Sequence, residues 1–176
     1  SADASVTPGE IVVPYIGGTG LYVTSLVIGA AIATGGADTG AGSASIDIFN
    51  VKTLASIDEG AQITAGADVA VTATDDTEII TFAGALAASK EGAGFGIGLD
   101  VTVLNKTTEA WIAASNDLSL TTVNAGGNII VEADSLEDIF SLSINVGLSL
   151  GSDGESNPAA GAGGAVILVL NTDTRA

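Results

Sequence analysis

Cysteine, histidine and methionine are all absent from this 176-residue chain, and only 4 lysines and arginines stand against 21 aspartates and glutamates. Without cysteine there are no disulfides, no thiolate nucleophile and no cysteine-bound zinc. Without histidine the usual general base and the commonest transition-metal ligand are also missing. The formal net charge of −17 repels polyanions, so nucleic acid and anionic membrane surfaces are excluded as partners. Aromatic residues make up 4% of the chain, too few for the platform of a carbohydrate-binding module. Paired carboxylates could in principle cleave sugars. Such sites also need basic or aromatic residues to hold the substrate, and the basic residues are only Lys52, Lys90, Lys106 and Arg175, so no enzyme is expected. The absence of cysteine fits an exported protein.

Charge is missing in a second sense. From Ile11 to Ala37 no residue is charged before Asp38, a run long enough to raise the question of a membrane span. Pro14, the glycines at 17, 18 and 20 and many β-branched residues argue against a helix there. The second half of the run also aligns with a later segment that carries Lys90 and Glu91. No membrane insertion is expected. No basic segment followed by an apolar one opens the chain, so any export signal is expected upstream or already removed.

What the chain has is repetition. "SLVIGAAIATGGADTGAGSASIDIFN" (25–50) aligns without a gap on "ITFAGALAASKEGAGFGIGLDVTVLN" (80–105), and "FSLSINVGLSLGSDGESNPAAGAGGAVILVLN" ends a third copy at Asn171. Asn50, Asn105 and Asn171 are 55 and 66 residues apart, and the longer interval is explained largely by extra loop around "GSDGESNPAAG". "GADVAVTATDDTEII" (66–80) matches "GGNIIVEADSLEDIF" (126–140) at an offset of 60. Short alternating segments punctuated by Gly, Asn and Asp, with no convincing helix, indicate an all-β chain.

The period-two pattern places Leu99, Val101 and Val103 on one face and Asp100 and Thr102 on the other, and the apolar set is assigned to the core. Inward positions rich in Ala and Gly suit a narrow solenoid. The expected fold is a right-handed parallel β-helix (β-solenoid) of about three imperfect repeats, with each repeat winding as roughly three coils of about 20 residues. A β-sandwich is the alternative, and an outer-membrane barrel ranks third because aromatic girdles are lacking. Residues 1–24 form an unassigned N-terminal segment or cap. The repeats run approximately 25–79, 80–138 and 139–176, the last incomplete.

The acidic edges ("DDTEI", "SLEDI"), the small-residue strand "TFAGALAAS" and the motif V-x-V-x-N-x-x-T-x-A, as in "VTVLNKTTEAWI" and "VILVLNTDTRA", resemble repeats of large bacterial surface adhesins of the filamentous haemagglutinin and leukotoxin-like type. The resemblance covers roughly residues 25–176. It departs in the first copy, where "NVKTLASI" lacks the second threonine. It implies a secreted or surface-displayed β-helical stalk, extracellular or at the cell surface, that serves cell-surface adhesion. The alternative is a short secreted subunit stacking end to end into a filament or sheath. Expected partners are other repeats of the same chain or neighbouring subunits, and a host or neighbouring-cell surface.

For ligands, Asp75, Asp76 and Glu78, with Asp134, Glu137 and Asp138 as their repeat counterparts, are candidate calcium ligands, since a hard cation takes clustered carboxylates. The competing reading is solvated edge charge that discourages aggregation. Asp153 and Glu155 sit in a loop of turn-forming composition. "GGTG" (17–20) lacks the lysine and the helix of a phosphate loop and is read as a turn. The three asparagines suit strand ends. They would form a ladder if equivalent coils stack directly and would be separated if several coils make up each repeat. No organic cofactor is expected.

Overall fold

A computed structural model describes residues 2–5, 20–34, 38–114, 120–151 and 159–176. Its elements are β1 (Ala2–Ser5), β2 (Gly20–Ala33), β3 (Thr39–Ile57), β4 (Gln62–Ala65), β5 (Val69–Ser89), β6 (Gly94–Ile112), β7 (Thr122–Ala125), β8 (Ile129–Ser149) and β9 (Ala160–Arg175). Among the described residues there is no helix, and Gly20–Ala33 of the uncharged run is strand. Asp153, Glu155 and Gly17 to Thr19 lie outside the described residues.

Three parallel ladders define a parallel β-helix. β2, β5 and β8 form one sheet; β3, β6 and β9 form a second, with β1 antiparallel on the free edge of β3; and β4 and β7 form a short third. The first two coils therefore consist of two long strands and one short one each, and the third of the long strands β8 and β9. The chain runs out along β5, turns at residues 90–93, returns along β6 and closes through β7. One coil lies on the next in unbroken register: Asn50 on Asn105 on Asn171, and Val69–Ser89 on Ile129–Ser149.

The sequence repeat is thus one coil and not three. The expectation of roughly 20-residue coils fails because the two principal strands are themselves 19 and 21 residues long, so a single turn consumes the whole repeat. The length difference between copies is divided between two connections: that of the outgoing and returning strands, residues 90–93 in one coil and 150–159 in the next, and that after the returning strand, residues 58–61 and 113–121.

The flattened coil has two zones. At its base, near β4 and β7, bulky side chains fill the interior. One cluster holds Val23, Phe49, Val51, Ile79 and Leu104; the other holds Ile57, Val69, Val71, Ala73 and Ala110. Beyond Ile79 and Leu104 the second coil narrows into an arm whose inner positions are small or polar, with Ala83, Ala85 and Ala87 on one sheet and Gly94, Gly96 and Gly98 on the other. The sheets are so close there that a Cβ on Gly96 would meet the Val146 carbonyl oxygen at 2.6 Å and that of Ala85 at 3.1 Å. No larger side chain fits between them.

This narrowing corrects the assignment of faces. Asp100 and Thr102 point inward and are fully buried, whereas Leu99, Val101 and Val103 point outward. Alternation shows that the two sets oppose one another, but the choice of inner face is made elsewhere. The glycines at 94, 96 and 98 must face the opposing sheet, and Asp100 and Thr102 follow in the same parity.

Candidate functional site: an internal charge staple

Inward positions of both sheets converge at the junction of base and arm. On β6, Lys106 follows Leu104 in the inward parity and is 2% exposed. On β5, Asp75 occupies an inward position between Ala73 and Thr77 and is 4% exposed. Lys106 Nζ lies 2.5 Å from Asp75 Oδ1 and 3.1 Å from Glu137 Oε1, and donates to the Leu136 carbonyl oxygen at 2.9 Å. An ammonium has three protons, and here each has an acceptor.

Asp75 is equally well served. Thr53 Oγ1 donates to its Oδ2 at 2.5 Å and Thr77 Oγ1 donates to its Oδ1 at 2.7 Å. Burial pushes the Asp75 carboxyl up, but the hydrogen bonds from Lys106, Thr53 and Thr77 and the attraction of the ammonium outweigh it, and the group sits below its ordinary value. Thr53 belongs to the first coil, Asp75 and Lys106 to the second and Glu137 to the third. The cluster therefore fastens three successive coils along the solenoid axis.

This geometry separates the candidate calcium ligands. The two-residue period sends Asp75 inward and leaves Asp76 and Glu78 exposed on the outer face. Register pairs Asp75 with Ser135, Asp76 with Leu136, Thr77 with Glu137 and Glu78 with Asp138. Asp134 falls opposite Thr74. Only Glu78 and Asp138 are register equivalents, and Glu137 turns toward Lys106. Among the described residues no group of three acidic side chains is gathered to hold a metal ion.

The asparagines do form a ladder. Asn105 Nδ2 donates to Asn50 Oδ1 at 3.0 Å, and Asn171 Nδ2 donates to Asn105 Oδ1 at 2.8 Å. A second polar line runs inside the arm, where Thr81 Oγ1 lies 2.5 Å from Asp100 Oδ2 and 2.8 Å from Ser141 Oγ. The other Asp100 carboxylate oxygen is buried without a partner, a cost that the surrounding stack must carry.

Sequence reasoning does not single out Lys106 as a structural residue. Its signal is parity: in a strand whose neighbouring inward residues are Leu104 and Thr108, a lysine in phase with them demands buried acceptors. Comparison with protein-family models, with curated proteins and with solved structures gave no match.

Proposed function

We propose that the chain is a structural repeat module of a secreted or cell-surface bacterial adhesin, a stiff stalk segment that holds a binding region away from the cell. The observation that carries this reading is the unbroken coil-on-coil register, with the Thr53–Asp75–Lys106–Glu137 staple and the asparagine ladder both running along the axis. Bonds aligned with a solenoid axis resist separation of coils, and a quasi-one-dimensional stack transmits load from coil to coil. The role is mechanical, and the surroundings it implies are extracellular.

A second reading rests on the same coil-on-coil stacking, in which a strand edge accepts a further strand in unbroken register. A secreted subunit stacking end to end into a filament would use it in this way.

The denatured mass of the native polypeptide separates the two. A mass far above 17.1 kDa supports the adhesin stalk, and a mass near that value supports the filament subunit. Single-molecule pulling tests the mechanical role common to both. Coils of this length should release in steps of about 200 Å, from roughly 3.4 Å per extended residue. Featureless extension at low force would remove the load-bearing reading.

A further inference from the structure

The outer faces of the arm carry no charge along their strands, but its interior holds two carboxylates. Asp47 is 6% exposed and Asp100 is fully buried. Neither belongs to an ion pair among the described residues: Lys106 is engaged by Asp75 and Glu137, Arg175 by Glu109 and Asp173, and Lys52 and Lys90 are exposed. A charge held away from water must be paired or must coordinate an ion.

Register sets both carboxylates in one group of four. Ser45 is the ladder partner of Asp100 and Asp47 is the partner of Thr102, and all four side chains are inward and buried. Ser45 Oγ donates to Asp47 Oδ2 at 2.7 Å, and across the coil Thr81 Oγ1 donates to Asp100 Oδ2 at 2.5 Å. That leaves Asp100 Oδ1 and Thr102 Oγ1, both buried and neither hydrogen-bonded to any group, including each other. A buried hydroxyl beside a carboxylate ordinarily donates to it. These two stay apart, as oxygens do when both turn to a third body.

We propose that Asp47, Ser45, Asp100 and Thr102 bind one sodium ion inside the arm. The donor set is all oxygen, which selects a hard cation. Stacked strands hold such oxygens about 4.8 Å apart, so an ion midway lies about 2.4 Å from each, an ordinary length for a hard cation–oxygen bond. Calcium takes about six to eight oxygens and magnesium keeps several waters. Four side chains walled toward the base by Phe49, Ile79 and Leu104 supply neither, and a monovalent ion costs less to strip of water. A water bridging Asp100 Oδ1 and Thr102 Oγ1 would satisfy both atoms but leave both charges uncompensated. A sodium ion places one positive charge between two carboxylates, as Lys106 does between Asp75 and Glu137. Ser45 and Asp47 belong to the first coil and Asp100 and Thr102 to the second, so the ion joins two coils whether the chain is a stalk segment or a filament subunit.

The test is thermal unfolding of the purified chain at constant ionic strength, with sodium chloride exchanged for choline chloride, whose cation is too large for the interior. The melting temperature is expected to rise by about 3 °C as sodium replaces choline and then to level off, as binding to the folded state alone requires. Asp100→Asn keeps an acceptor for Thr81 and removes the charge, and should make the chain indifferent to the exchange. Thr102→Val separates a ligand from an idle hydroxyl. Loss of an unbonded hydroxyl leaves the sodium dependence as it was, whereas loss of a ligand should raise the sodium concentration at half effect about tenfold. Circular dichroism verifies the β fold of each variant, and the parent chain decides alone if a variant does not fold. Equal melting temperatures in sodium and choline overturn the proposal, as does a sodium dependence that survives Asp100→Asn or is unchanged in Thr102→Val. A rise produced by calcium and not by sodium also overturns it.

Discussion

Asn105 accepts from Asn171 through its Oδ1 and donates to Asn50 through its Nδ2, so one side chain ties three coils together at a single level of the stack. The ladder stands on the outer surface, where the uncharged arm meets the polar base. Amides stack in this way only if the register is held by the backbone, since a one-residue slip would turn each asparagine to the opposite face.

Replacing Asn105 with Ala removes both bonds and leaves a half-satisfied amide on either side. At about 0.5–1.5 kcal/mol per hydrogen bond, the expected loss is about 1–3 kcal/mol. Asn50→Ala removes one bond and should cost about half as much. Urea denaturation of the two variants checks the ratio; equal losses would mean that the ladder contributes nothing beyond local strand preference.

Lys106→Met keeps much of the side-chain volume but leaves Asp75 and Glu137 facing each other without a cation. Breaking a buried pair from one side costs about 3–5 kcal/mol. Combining it with Asp75→Asn removes one of the stranded charges, and the double variant should be more stable than Lys106→Met alone. A double-mutant cycle by chemical denaturation measures the coupling.

Acid should release the staple. The folded Asp75 carboxyl lies below its ordinary value of 3.8, so the unfolded chain takes up the proton first. Its contribution is therefore fully present above about pH 4 and is lost as pH falls through the lower folded value. Thermal melting between pH 5 and 2 should show a slope that Asp75→Asn reduces.

Chelation should change little. Asp75 is engaged by Lys106, and Asp76 and Glu78 face away from it, so the melting temperature with EDTA should equal that with added calcium. A rise of several degrees in calcium would require a carboxylate grouping other than Asp75, Asp76 and Glu78.

The parallel all-β fold was legible in the sequence because alternation, turn residues and repetition all point the same way. The coil length was not. Self-similarity fixes the repeat distance, and nothing in composition says whether that distance holds one turn or several. The inner face was missed for a physical reason: alternation shows only that the two sets oppose one another, and the choice is made by Gly94, Gly96 and Gly98, whose close approach to the opposing sheet puts Asp100 and Thr102 inside in the same parity. The acidic cluster was visible as composition, whereas its division into Asp75 inside and Asp76 outside depends on strand phase. Lys106 becomes intelligible only once that phase is known.

The connection at the arm tip spans residues 90–93 in one coil and 150–159 in the next, yet Asn105 and Asn171 remain level. Length and composition at the tip are thus uncoupled from the pitch of the stack. The strands that carry these connections stack about 4.8 Å apart, so connections of different length can be exchanged one at a time on an unchanged ladder. Sequence change there alters what the edge displays and leaves the rod beneath it untouched.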